Sequence, residues 1–194
     1  WDGKVTAEVN AEAPTACRIA FRIPGWCRDY TINGEKGLRE GESVTENGET
    51  RTVKDGYLII DRVWEGGEKL ELEFPMEVRL MQADGRVRED IGKAAVMRGP
   101  VVYCMEEADN GKNLHLCSLA ADPAPEAKEE EKLGQRMVTV TTKGKRLVMQ
   151  PEEAGELYQE YSRPEYEEVQ LQWIPYFAWA NRGEGEMQVF IKAE

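Results

Sequence analysis

The sequence predicts an all-β protein of antiparallel strands, and three observations carry that prediction. Apolar and polar residues alternate with a period of two along most of the chain, the pattern of a strand with one buried face. The alternating runs are short, and Gly, Asn, Asp or Pro separates them, which is the punctuation of hairpins and tight turns. No internal repeat, coiled-coil heptad or glycine-rich phosphate loop competes with this reading. An antiparallel sandwich or barrel accommodates such strands.

The elements follow in order. In KVTAEVN, Val5, Ala7 and Val9 share a face, and in CRIAFRI, Ile19, Phe21 and Ile23 oppose Arg18 and Arg22. YTINGEK carries Asn33-Gly34, suited to a two-residue hairpin turn because both positions tolerate positive φ. GYLIIDRVW, the turn EGGE and EKLELEF follow, the last aligning Leu70, Leu72 and Phe74. MEVRLMQ places Met76, Val78 and Leu80 together and closes the first set of strands.

A second set begins with KAAVMRGPVVYCME, read as two short strands broken at Gly99-Pro100. NLHLCSL alternates as a strand. The Pro-, Ala- and Glu-rich stretch 120–134 lacks apolar surface to bury and is expected to be a solvated acidic loop. RMVTVTTKGKRLVMQ reads as a hairpin turning at Lys143-Gly144. PEEAGELYQEY is ambiguous between helix and loop, and EEVQLQWIPYFAW and EMQVFIK read as closing strands.

Composition excludes several functions. The 194 residues carry a formal net charge of −12, which opposes binding to nucleic acid or to anionic membrane surfaces. No apolar run approaches the ~20 residues that span a bilayer. The opening WDGKVTAEVN has no start Met, basic n-region or apolar core, so the chain reads as a piece of something longer. Export is left open, with a cytoplasmic setting favoured. The four cysteines, Cys17, Cys27, Cys104 and Cys117, form no CxxC pair, and the one histidine, His115, precedes Cys117 by two. Buried structural thiols are expected in preference to disulfides, and metal ligation is disfavoured.

The chemistry-bearing residues form no convincing catalytic set. None of the 37 Asp and Glu residues lies in an apolar segment that would raise its pKa for general-acid work. A nucleophilic triad would have to use His115, which alternates with Leu114 and Leu116 as an ordinary strand residue would. Asp109-Asn110-Gly111 lacks the spacing of a calcium loop and reads as a turn. Aromatic residues are therefore the main candidates for contact. Trp26, Trp64, Trp173, Tyr176 and Trp179 are core packing in the ordinary case. Trp179 departs most from that case, because Asn181 and Arg182 follow it and Arg with Trp is enriched at interfaces.

Four segments, FRIPGWCRDYTING, GYLIIDRVWEGGEKLELEFPMEVR, AAVMRGPVVYCME and IPYFAWANRGEGEMQVF, occur in order along nearly the whole chain. Together they resemble glycoside hydrolase family 127, the β-L-arabinofuranosidase family. The resemblance implies two tandem β-sandwich domains of jelly-roll or immunoglobulin-like type, at 1–82 and 83–185, with 186–194 a candidate to complete the first. It further implies that catalysis, with its zinc-bound cysteine, resides in an N-terminal (α/α)6 barrel whose motifs are absent here. No cofactor is expected in this chain, and its four cysteines are not the zinc cysteines.

The favoured expectation is a non-catalytic accessory region that supports that barrel or a homodimer, through Trp26, Trp64, Trp173, Tyr176, Trp179, Asn181 and Arg182. A carbohydrate-binding module for arabinose-containing glycans is the alternative, and it needs two or three aromatics side by side on one solvent face. A free-standing enzyme is the third and weakest reading.

Overall fold

The computed structural model describes residues 1–27, 29–149, 158 and 160–193. The chain is all-β and divides into two compact units, Trp1–Met76 and Glu77–Glu194.

The first unit contains β1 (Lys4–Val9), β2 (Thr15–Arg22), β3 (Thr31–Ile32), β4 (Glu35–Lys36), β5 (Ser43–Glu46), β6 (Glu49–Lys54), β7 (Tyr57–Trp64) and β8 (Glu68–Glu73). They form two four-stranded antiparallel sheets, ordered β1-β8-β3-β4 and β2-β7-β6-β5. Leu70 and Leu72 of one sheet meet Leu58, Ile60 and Trp64 of the other in a single core. The period of two explains this, since alternate residues of β7 and β8 point inward together. Each such buried side chain contributes roughly 1.5–3 kcal/mol. Asn33-Gly34 makes the expected turn, with φ of 49° and 81°, between β3 and β4.

The second unit contains β9 (Val78–Met81), β10 (Lys93–Arg98), β11 (Val101–Glu106), β12 (Cys117–Leu119), β13 (Glu126–Lys132), β14 (Gln135–Leu147), β15 (Tyr166–Pro175), β16 (Met187–Gln188) and β17 (Ile191–Ala193). Hydrogen-bonded neighbours run β11-β15-β14-β12-β17-β10, and a β10–β11 pair closes the circuit. The sheet thus folds over on itself, and its inward faces meet in one core built on Val96, Tyr103, Met105, Val140, Leu171 and Trp173. The pairings are antiparallel except that of β12 with β17.

Several details differ from the sequence expectations. The division falls between Met76 and Glu77, because Val78–Met81 pairs with β10 rather than with a first-unit strand. Alternation shows that a segment is a strand but not which sheet receives it. EMQVFIK is two short strands, β16 and β17, and both pair inside the second unit. The acidic loop contains a seven-residue strand, β13, which pairs with β14 across a turn at Leu133-Gly134. Its charges suit it to a sheet edge, where Glu and Lys discourage further pairing.

Lys143-Gly144 does not turn, and β14 continues through it to Leu147. Gly144 serves close packing: a Cβ there would collide with the Leu171 side chain and lie 2.7 Å from the Ser118 carbonyl oxygen. NLHLCSL is a 3-10 turn at Leu114–Leu116 followed by β12, entered through Asn113 in the left-handed region with φ 60°. The stretch 151–161 lies outside the described residues except for Tyr158, Glu160 and Tyr161.

Candidate functional site

The segment after β15 builds the most distinctive surface of the second unit. Pro175 ends the strand, and Tyr176–Ala178 form one 3-10 turn. The turn projects Tyr176, Phe177 and Trp179, which are 44%, 60% and 41% exposed. Tyr176 and Trp179 stack on each other, with ring centroids 5.9 Å apart and an interplanar angle of 23°.

A buried ion cluster fixes the base of this aromatic knob. Arg182 donates through Nη1 to Asp109 Oδ1 at 2.7 Å and through Nη2 to Asp109 Oδ2 at 2.6 Å, a bidentate fork. Its Nε donates to Glu106 Oε2 at 2.9 Å, and Nη2 also pairs with that oxygen. Lys132 of β13 adds a 3.0 Å contact to Asp109. Burial opposes charge on Asp109, but Arg182 and Lys132 outweigh it and hold the carboxyl below the ordinary carboxylate range. The hydrogen bonds that Asp109 accepts in turn raise the Arg182 guanidinium above its ordinary value, against its own desolvation.

Local backbone contacts complete the base. Glu106 Oε1 accepts from the Ala180 amide at 3.0 Å, and Asn181 Nδ2 donates to the carbonyls of Ala178 and Trp179 at 3.0 and 3.2 Å. Asn110 imitates a strand edge, with Nδ2 donating to the Gln172 carbonyl at 2.9 Å and Oδ1 accepting from its amide at 2.8 Å. The knob is thus exposed apolar surface on a rigid polar foundation.

The other predicted aromatics lie elsewhere. Trp64 and Trp173 are 1% and 0% exposed, so both are core and offer no face to a partner or a sugar. Their indole N–H groups are satisfied internally, Trp64 by the Cys17 carbonyl at 2.9 Å and Trp173 by Thr142 Oγ1 at 2.9 Å. Inward-facing positions on β7 and β15 decide this. Trp26 is half-buried and meets Phe74 edge-on, with centroids 6.3 Å apart. Tyr176, Trp179, Asn181 and Arg182 are brought together. Sequence reading did not select Phe177, Glu106, Asp109 or Lys132. Glu106 corrects the expectation that no carboxylate lies in an apolar segment: it closes the run VVYCME and is buried, and a carboxylate so placed needs a partner.

The concavities are modest. A depression beside Trp179 and Arg182 of about 20 Å³ admits little more than one water. A groove of about 280 Å³ in the first unit is lined by Pro24, Cys27, Asp29, Tyr30, Leu38 and Glu40, among others. Glu40 accepts from the amides of Asp55 and Gly56 at 2.7 and 3.1 Å, which makes it a turn clamp.

The four cysteines are free thiols. Burial pushes the Cys104 thiol up to about 12 and raises that of Cys117, so both rest as neutral thiols. Cys17 is exposed, where alternation had suggested burial, because β2 edges its sheet. The Cys27 thiol donates to the Asp29 carbonyl at 2.9 Å. No group of three or more His, Cys, Asp or Glu among the described residues could hold a metal ion. His115 is exposed. No described helix is long and apolar enough to cross a membrane.

Comparison with known proteins places the whole chain. The model of the glycoside hydrolase family 127 C-terminal domain matches residues 78–192, and that of the β-L-arabinofuranosidase GH127 middle domain matches residues 1–76. The chain is 36% identical over 204 aligned residues to a non-reducing end β-L-arabinofuranosidase of Bifidobacterium longum subsp. longum, covering 98% of this chain and 28% of that protein. A crystallised GH127 β-L-arabinofuranosidase from Geobacillus stearothermophilus T6 superposes with a TM-score of 0.82 at 40% identity, over 100% of this chain and 29% of that one. A solved GH127 β-arabinofuranosidase gives a TM-score of 0.77 at 29% identity, over 100% and 30%. The chain therefore spans less than a third of these relatives, and it belongs to glycoside hydrolase family 127, of which it carries the middle and C-terminal domains.

Proposed function

We propose that this chain is a non-catalytic accessory region of an arabinofuranosidase-like glycoside hydrolase, and that its aromatic knob docks against the catalytic domain or a second subunit. One observation carries the reading. Tyr176, Phe177 and Trp179 stand exposed on a turn that the Arg182 cluster holds in place. Ordered, exposed aromatics on a rigid base are characteristic of interface anchors. The family assignment supports it, since both matched domains are described as middle and C-terminal.

The alternative, glycan binding, would use the same rings. Their geometry disfavours it, because Tyr176 and Trp179 stack on each other and each thereby covers one of its own faces. A sugar platform presents rings side by side. The test uses the longer parent enzyme, with Trp179→Ala and the double change with Tyr176→Ala. Weakened domain association or subunit assembly, without loss of folding, supports docking. Unchanged assembly and activity would remove it. Titration of the chain with arabinose-containing oligosaccharides, read by tryptophan fluorescence, decides the glycan reading: saturable quenching that Trp179→Ala abolishes would establish it.

A further inference from the structure

The sequence contains three Asn-Gly pairs, Asn33-Gly34, Asn47-Gly48 and Asn110-Gly111. Such pairs are chemically self-reactive. The glycine nitrogen attacks the asparagine side-chain carbonyl carbon, a cyclic imide forms and ammonia leaves. Water then opens the imide at either carbonyl, giving aspartate or isoaspartate. Glycine permits the attack because no Cβ crowds its nitrogen. The fold decides which pair reacts, by holding or releasing the side-chain amide and the attacking nitrogen.

Two of the pairs are held. Asn33 Oδ1 accepts from the Glu71 amide at 2.9 Å, and the Asn33 amide donates back to the Glu71 carbonyl at 2.8 Å. Asn110 is bound through Nδ2 and Oδ1 to Gln172, with a further 3.1 Å bond to the Glu106 carbonyl. Its would-be nucleophile, the Gly111 nitrogen, donates to the Glu107 carbonyl at 2.7 Å. Asn47-Gly48 is different. Both residues are exposed, and neither the Asn47 side chain nor the Gly48 nitrogen makes a hydrogen bond among the described residues. The pair joins β5 to β6, and β5 is an edge strand with all four residues exposed. Edge hairpins of this kind open locally at small cost, which supplies the backbone freedom that ring closure needs.

We infer that Asn47-Gly48 is a self-modification site, converting to aspartate and isoaspartate with water as the co-reactant, while Asn33 and Asn110 remain amides. The isoaspartate product inserts a methylene into a two-residue turn whose φ values are 50° and 78°. That insertion disrupts the Glu46–Glu49 register and loosens the start of β6, where Glu49 pairs with Arg51 and Arg62.

The experiment incubates the folded chain at mildly alkaline pH in isotopically heavy water and follows all three pairs by peptide mass spectrometry. Resistance to cleavage by an Asp-specific endoprotease separates isoaspartate from aspartate. Asn47 is expected to convert at least about fivefold faster than either other pair, the factor one retained hydrogen bond is worth. In the denatured chain the three rates should converge, and Asn47→Gln should suppress conversion in its own peptide alone. Equal or faster conversion at Asn33 or Asn110 overturns the inference. So does an Asn47 that stays an amide, or a denatured chain that keeps the folded order of rates.

Discussion

Trp173 and Trp179 lie six residues apart in one segment, yet one is sealed in the core and the other stands in solvent. Trp173 is an inward-facing residue of β15, with its indole nitrogen bound to Thr142. Trp179 follows the strand end at Pro175 and a 3-10 turn that redirects the chain. Just beyond Trp179, Arg182 pairs with Glu106 and Asp109 and secures the redirected chain to the end of β11 and the turn after it. Residue type is the same at both sites, and backbone direction alone leaves one in the core and the other in solvent.

The sharpest way to break this contrast is at the core. Trp173→Ala should destabilise the second unit by about 3–5 kcal/mol, through a large cavity and an orphaned Thr142 hydroxyl. Urea denaturation that shows a shift under about 1 kcal/mol would remove Trp173 from the core assignment.

Next comes the cluster that anchors the turn bearing Trp179. Arg182→Met leaves Glu106 and Asp109 without their shared cation and should cost about 2–3 kcal/mol, because the cluster is largely buried. Adding Glu106→Gln and Asp109→Asn should restore part of that loss, a coupling that a double-mutant cycle measures.

A smaller effect follows from acid. Asp109 has its pKa depressed in the folded protein, so folding favours its ionised form. The stability it contributes is complete above its unfolded value of about 4 and drains as pH falls through the lower folded value. Thermal melts between neutral and acid pH should show this slope in the native chain and a shallower one in Asp109→Asn. Equal slopes would show that other carboxylates dominate the acid response.

The smallest change in stability is expected at the surface. Trp179→Ala should alter unfolding free energy by no more than about 0.5 kcal/mol. A loss comparable to that of Trp173→Ala would make Trp179 a packing residue and collapse the contrast.

The sequence by itself determined that the chain is all-β, where most strands lie, and that Asn33-Gly34 turns, because a period of two and an Asn-Gly dipeptide are local signals. It also singled out Trp179, Asn181 and Arg182 as an unusual cluster. It could not separate a glycine that turns from one that lets strands approach, which is why Gly144 sits mid-strand against Leu171. Nor could it show that acidic residues 126–132 pair along β14, because an edge strand needs a neighbour more than an apolar face. Only the tertiary structure decided which sheet receives each strand and which tryptophan is covered. The same holds for the carboxylates of Glu106 and Asp109, which meet Arg182 from more than seventy residues away. Those outcomes depend on long-range pairing and desolvation, which alternation along the chain does not encode.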